Sequence, residues 1–245
     1  YWYASNWKDY LWMEDKYWTY ITEFKRPELV DGQRCLFMSK GIDYQYEILL
    51  NGQIVYAYEG MFRPVEIDLT DDLKDNNVLE VIIFPAPKSQ TERQDRTQAD
   101  QCCKPAVSYG WDWHPRLISL GIWDETFLQI VPDCRIEKSD LQYSLSTCLK
   151  DADLTLKMKT TQCGEGISFR WRLKNSDDEI EFQTEGVIDS NEMLVTGKME
   201  NIELWWPHAY GSPVLYTSEI ELVKDNQVVD KQIKKIGFRR VQLVM

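Results

Sequence analysis

Residues 109–123 read YGWDWHPRLISLGIW, three tryptophans, one aspartate and one arginine in fifteen positions. Trp111 and Trp113 stand two apart around Asp112. An indole offers a flat apolar face, and a carboxylate accepts hydrogen bonds from hydroxyls, so the trio has the equipment to hold a sugar ring. In a strand, that spacing turns both indoles to one face and the carboxylate to the other. That is the arrangement of a packed aromatic core. In a loop, the three side chains can project together into a pocket. Residue types alone leave both arrangements open.

Other residues with chemical potential carry less. The acidic pairs Asp71-Asp72 and Asp177-Asp178 sit in polar turn contexts and read as solvated surface. His114 and His208 are the two histidines, and the six cysteines at 35, 102, 103, 134, 148 and 163 contain no C-x-x-C. A zinc site of the Cys/His type is not expected, nor is any other metal or cofactor. Cys102 and Cys103 are sequence neighbours, a strained geometry for a disulfide, and the cysteines read as free thiols. His208 reads as a surface residue. No residue of the chain is assigned a catalytic role.

Composition limits the classes of partner. The chain has 245 residues, 43% of them hydrophobic, enough for two domains with proper cores. Its 40 acidic against 28 basic residues give a net charge of −12. That balance opposes nucleic-acid binding, which rewards clustered Lys and Arg. It is compatible with a neutral ligand such as a sugar. Ten tryptophans and thirteen tyrosines suit either sugar stacking or β-sandwich cores. No apolar run reaches the ~20 residues that cross a bilayer, so no membrane association is expected.

The elements that must position the W-D-W stretch have a period of two. Tyr44, Tyr46, Ile48 and Leu50 alternate with Gln45, Glu47 and Leu49. Asn51-Gly52 supplies the turn, and Ile54, Tyr56 and Tyr58 resume the pattern. Residues 77–84, NVLEVIIF, are apolar on both faces, as in a strand buried within a sandwich. Residues 85–105 are polar and aperiodic, a long loop that delivers the chain to the tryptophans. The pattern shifts near VPDCRIEKSD (131–140), which places a domain boundary between 132 and 133. Beyond it, LTLKMKT, ISFRWRLKN and IEFQTEGVI alternate as short strands. A hairpin turns at Asp225-Asn226, with Tyr216, Ser218, Ile220 and Leu222 on one face and Thr217, Glu219 and Glu221 on the other. About seven strands in this half predict an immunoglobulin-like sandwich without its Cys…Trp…Cys signature. Helical periodicity is absent. The expected class is all-β in two domains.

Four segments, in order along the chain, resemble glycoside hydrolase family 2, and its β-mannosidase branch in particular. DYLWMEDKYWTYITEF (9–24) is similar to the family's W-x-x-x-x-W-x-Y-x-x-x-F strand entry. LLNGQIVYAYEGMFRPVEIDLTDDLKDNNVLEV (49–81) is similar to its strand–NG-turn–strand followed by N-M-F-R-P and T-x-x-L. KPAVSYGWDWHPRLISLGIWDETFLQI resembles F-G-W-D-W-G-P-R-L…G-I-W, the most specific of the four. LWWPHAYGSPVLYTSEIEL…KIGFRRVQL (204–243) resembles the L-W-W-P-x-G-Y-G…L-Y and I-G-F-R stretches.

The resemblance implies a sugar-binding jelly roll over residues 1–132, truncated at its start, and an immunoglobulin-like sandwich over 133–245. In the family, a (β/α)₈ barrel follows and carries two catalytic glutamates. Retaining glycosidases need two carboxyls about 5 Å apart, and by the resemblance those lie in the barrel, beyond this chain. The chain is thus expected to be a non-catalytic portion whose partners are the barrel and a terminal β-linked sugar. The W-D-W loop is expected to reach the substrate pocket, with Asp112 accepting hydrogen bonds from sugar hydroxyls and Trp111 and Trp113 beside it. His114 stands where the family has Gly, a residue that permits positive φ or close packing, so the imidazole is expected to alter the turn or intrude on the pocket. Arg116 is expected to form an ion pair supporting the loop, and Trp205, Trp206 and Pro207 an interface or core cluster. β-Galactosidase, β-glucuronidase or exo-glucosaminidase specificity, or a free-standing carbohydrate-binding or adhesion module, are the competing readings. The substrate class points to a periplasmic or extracellular setting.

Overall fold

The computed structural model describes residues 5–243. The chain divides into two compact units between Val131 and Pro132. The first contains β1 (Trp18–Lys25), β2 (Gln33–Ser39), β3 (Ile42–Asp43), β4 (Gln45–Leu50), β5 (Gln53–Glu59), β6 (Val65–Asp68), β7 (Asn76–Ile83), β8 (Gly121–Ile122) and β9 (Thr126–Pro132). They form a four-stranded sheet in the order β1-β7-β4-β5, a three-stranded sheet β6-β2-β9 and the short pair β3-β8. All the registered pairs are antiparallel.

The β4–β5 hairpin forms, but its register shifts between Ile48 and Leu49, so Ile54 is exposed instead of resuming the alternation, while Tyr56 and Tyr58 pack against the core. Asn51 and Gly52 take φ of 53° and 80°, the left-handed values that a tight hairpin turn needs. The Asn51 side chain fixes the turn to the next strand: its amide donates to Asn77 Oδ1 and its carbonyl accepts from the Val78 N–H, both at 3.0 Å. Tyr44, Tyr46, Ile48 and Leu50 are buried. Strand β7 runs between β1 and β4, with Asn77, Leu79, Val81 and Ile83 buried on one face and Val78, Glu80 and Ile82 half-buried on the other. Tyr46, Ile48, Leu50, Leu79, Val81 and Ile83 meet Cys35, Phe37 and Val65 of the other sheet in one core.

Two sequence expectations need correction here. The segment that resembles a strand entry at 9–24 opens as a 3-10 helix over Asn6–Asp15, and the strand begins only at Trp18. A 3-10 helix makes i→i+3 bonds and has no apolar stripe to announce it. Residues 84–120 form the long connection between β7 and β8, and it is not wholly aqueous. Ala86, Ala99, Tyr109 and Ile118 are buried together beneath it in a small second core.

The second unit contains β10 (Ile136–Leu145), β11 (Ala152–Thr160), β12 (Ile167–Lys174), β13 (Ile180–Val187), β14 (Glu192–Met199), β15 (Tyr216–Lys224) and β16 (Gln227–Ile236). Sheets β10-β11-β14 and β13-β12-β15-β16 give an immunoglobulin-like, seven-stranded sandwich. Trp171 is fully buried at its centre, its indole N–H donating to Ser218 Oγ at 3.1 Å and its ring edge-on to Phe182. On the outward face of β15, Glu219 and Glu221 are also buried, covered by Arg172 and Lys231, each within 3.4 Å of both carboxylates.

The expectation of six free thiols fails at one pair. Cys134 and Cys163 form a disulfide, with Cα atoms 4.7 Å apart. They are 29 residues apart in sequence, and only the antiparallel return of β11 beside β10 brings them together. Cys35, Cys102, Cys103 and Cys148 are free.

Candidate functional site

The W-D-W stretch is neither strand nor core. Residues 110–115 leave the protein body as a short loop whose two ends are tied together. The Leu117 N–H donates to the Ser108 carbonyl and the Trp111 N–H to the His114 carbonyl, each at 3.0 Å. Gly110 opens the loop at φ 111°, a conformation that a side chain would strain.

Arg116 closes the neck from below. It is buried, and Nη1 donates to the Tyr109 carbonyl at 3.0 Å, spanning the loop from end to end. Nε and Nη2 grip the Glu14 carboxylate in bidentate fashion at 3.0 and 2.6 Å, and Nη2 also donates to Gln98 Oε1 at 2.7 Å. Lys88 completes the cluster, 2.7 Å from Glu14 and 2.6 Å from Asp15. Bidentate pairing of this kind fixes orientation as well as distance. The 3-10 helix at 6–15, the polar stretch 85–105 and the loop neck are thereby held by one guanidinium.

A second buried pair anchors the other side of the connection. Lys104 Nζ lies 2.5 Å from both oxygens of Asp43 and donates to the Ser119 carbonyl at 2.7 Å. Burial pushes the Asp43 carboxyl up, against the pull of Lys104. Tyr109 donates its hydroxyl to the Pro87 carbonyl at 2.7 Å, and burial raises its phenol above the ordinary value.

Above this hydrogen-bonded base the three predicted residues are all exposed. Trp113 is 70% and Trp111 41% accessible, with ring centroids 6.3 Å apart at 47°. Arg96 reaches from the polar stretch and lays its guanidinium over the Trp111 ring at 3.9 Å. The Asp112 carboxylate makes no hydrogen bond or ion pair within the described residues. The loop therefore brings together two indoles and one uncommitted carboxylate on a well-braced support.

His114 does not distort the turn: it is not among the residues with positive φ, so no left-handed conformation is required there. Its Nδ1 donates to the Pro115 carbonyl at 2.6 Å and its ring stands edge-on to Trp113. It does intrude on space beside the loop. His114 and Arg116 line both a largely apolar groove of about 780 Å³, with Leu11, Met13, Trp18 and Val107, and a smaller cleft of about 400 Å³ with Trp7 and Trp111. Neither Asp112 nor Trp113 lines these two recesses.

The remaining candidates separate cleanly. Asp71 is exposed and pairs with Arg34 at 2.9 Å, while Asp177 and Asp178 lie in an exposed turn shaped by Asn175. Neither acidic pair is part of the loop site. Trp205 is half-buried beneath Arg239, Trp206 is 42% accessible, and His208 is exposed. Sequence reasoning missed Glu14, Lys88 and Gln98. The first of these lies 102 positions from the arginine it orients, and no local pattern marks it.

Comparison with known proteins agrees with this architecture. A family model described as the glycosyl hydrolase 2 galactose-binding domain-like domain matches residues 1–124, and one described as glycosyl hydrolases family 2 matches residues 134–239. The β-mannosidase B of Aspergillus fumigatus is 26% identical over 249 residues, which cover 95% of this chain and 29% of that protein. That of Thermothelomyces thermophilus is 27% identical, with 95% and 28% covered. The chain thus spans less than a third of these curated relatives. Among solved structures, a β-D-mannosidase from Dictyoglomus thermophilum superposes with a TM-score of 0.81 at 23% identity, over 96% of this chain and 31% of that one. A β-galactosidase from Bacteroides fragilis, itself an unproven assignment, gives 0.73 at 17%, over 92% and 33%. At these identities the superpositions show the fold alone.

Proposed function

Because the chain belongs to glycoside hydrolase family 2, we propose that it forms the non-catalytic front of a β-mannosidase-like enzyme and lends its W-D-W loop to the substrate pocket. The reaction is hydrolysis of a terminal β-linked sugar with retention. Its two carboxyls come from a barrel domain of the same parent chain, which packs against these two sandwiches. In this reading Asp112 accepts hydrogen bonds from sugar hydroxyls, and Trp111 and Trp113 supply apolar walls. This chain alone does not turn over substrate.

One observation carries the reading. The loop is braced at its neck by a buried bidentate ion pair, yet it presents a carboxylate with no partner among the described residues. A surface turn needs no such support, whereas a site that must hold a hydroxyl in register does. The curated relatives named β-mannosidase B supply the substrate class.

The test is Asp112→Ala in the full-length enzyme. Losing a charged hydrogen-bond partner of a substrate hydroxyl costs about 1.5–3 kcal/mol, or roughly 10–150-fold in kcat/KM for an aryl β-mannoside. The melting temperature should barely move, since Asp112 is exposed and holds nothing in place. Wild-type kcat/KM in that variant, or absence of β-mannosidase turnover in the full-length protein, overturns the proposal.

A further inference from the structure

The smaller recess beside the loop has features that the pocket role of Asp112 does not use. It is a cleft of about 400 Å³, lined by Trp7, Gln94, Asp95, Trp111 and His114 together with the loop neck. That volume lies within the ~300–1,000 Å³ typical of small-molecule sites. The walls come from three separate stretches, the 3-10 helix at 6–15, the polar stretch 85–105 and the W-D-W loop, which the Arg116 cluster holds together.

A pyranose ring has one or two faces of C–H bonds and a rim of hydroxyls that both donate and accept. Its receptor therefore combines an aromatic plane with side chains able to hydrogen-bond in both senses. The cleft has two indoles, and a cation is stationed over each: Lys8 Nζ 5.7 Å from the Trp7 ring and the Arg96 guanidinium 3.9 Å from Trp111. These contacts occupy part of each ring's surface. Asp95 is oriented as well. Its Oδ1 accepts from the Thr97 N–H at 2.9 Å and the Thr97 hydroxyl at 2.6 Å, which leaves Oδ2 without a partner among the described residues. The same two bonds hold its carboxyl below the usual value, so it is an acceptor at neutral pH. The Gln94 amide, donor at one end and acceptor at the other, makes no hydrogen bond among the described residues. The neighbouring groove of about 780 Å³ is walled mainly by Leu11, Met13, Trp18, Val107 and Leu117, and matches a ring of hydroxyls poorly.

We propose that this cleft is a second sugar subsite, which holds the ring adjoining the terminal one, with Trp7 and Trp111 as its aromatic walls and Gln94 and Asp95 as its hydrogen-bonding groups. The proposal rests on the reading that Asp112 contacts the terminal sugar. It makes the chain a determinant of preference for oligosaccharides over glycosides with a small non-sugar leaving group. Trp111 then serves two rings, which accounts for its position at the junction between loop and cleft.

The experiment compares two substrates in the full-length enzyme, 4-nitrophenyl β-mannoside and β-1,4-mannobiose. The quantity read is the ratio of their kcat/KM values, mannobiose over aryl glycoside in every case. Partial unfolding lowers both constants together and leaves this ratio alone. For Gln94→Ala, an exposed position, loss of one neutral hydrogen bond lowers the ratio about fivefold. For Trp7→Ala, loss of an aromatic wall lowers it about tenfold. Asp112→Ala, measured alongside, lowers both constants. If it does so while both cleft variants keep the wild-type ratio, the subsite is overturned and the pocket reading stands. If Asp112→Ala leaves both constants unchanged, the pocket reading fails, and the subsite as adjoining an Asp112-bound ring fails with it.

Discussion

Glu14 and Arg116 form one ion pair, but removing either partner should not cost the same. Glu14→Ala leaves a guanidinium that is 10% accessible with only neutral acceptors, the Gln98 amide oxygen and the Tyr109 carbonyl. Stripping one partner from a buried pair costs about 3–5 kcal/mol. Arg116→Met leaves a carboxylate that still has Lys88 at 2.7 Å. The loss there is nearer that of charged hydrogen bonds alone, about 1.5–3 kcal/mol. The double variant has no unmatched guanidinium, so its cost should fall short of the sum by about 1–2 kcal/mol. A global melt would blur this, because a chain of two units need not unfold in one step. Native-state hydrogen exchange of the Trp111 and Leu117 amides reads it locally, since their bonds to His114 and Ser108 close the loop. Protection should fall most in Glu14→Ala, less in Arg116→Met, and sub-additively in the double variant. Strict additivity, or a larger loss from Arg116→Met, would refute the idea that the cost lies in stranding a buried guanidinium without its carboxylate.

Two further outcomes follow from the second unit. Burial pushes the Glu219 carboxyl up, but the Lys231 hydrogen bond and the charges of Arg172, Lys231 and Lys174 outweigh it and hold the group below the ordinary value. A folded value below the unfolded one stabilises above the unfolded value, and that contribution is lost as pH falls through the folded one. The urea midpoint read at the Trp171 indole N–H should therefore drop as pH goes from about 6 to about 3, and Glu219→Gln should flatten the dependence; an equally steep profile in the variant would reject the assignment. Alkylation in denaturant without reductant should label Cys35, Cys102, Cys103 and Cys148, with Cys134 and Cys163 reacting only after reduction. Labelling of all six at once would remove the disulfide.

The parts legible from sequence were those set by local rules. Asn51-Gly52 announces its hairpin because few other dipeptides tolerate two left-handed residues in succession. The alternation at Tyr216–Leu222 likewise identifies the face that packs on Trp171. The rest depends on partners distant in sequence. Glu219 and Glu221 look like solvent-facing acids until β12 and β16 supply the cations that cover them. Cys134 finds Cys163 only through a strand reversal. At the loop, residue types pointed to Trp111, Asp112 and Trp113, but the two-residue spacing could not distinguish strand from turn. That distinction is made by Gly110 and by an arginine whose counter-ion sits in a 3-10 helix near the start of the chain.

The Cys134–Cys163 bond also has a mechanical meaning. Cys134 lies just past the division between the units, and strand β10, which it precedes, is the edge of its sheet. An edge strand pulled from its end normally yields like a zipper, one ladder bond after another. Here, tension on the chain ahead of Cys134 passes through the sulfurs to Cys163, beyond the end of β11, and the first rung of β10 is not loaded. The edge is shackled at the point where peeling would begin: β10 and β11 lie inside the covalent loop that the bond closes, so tension bypasses their ladder until the bond is reduced. The second sandwich would then resist traction more in an oxidising medium than in a reducing one.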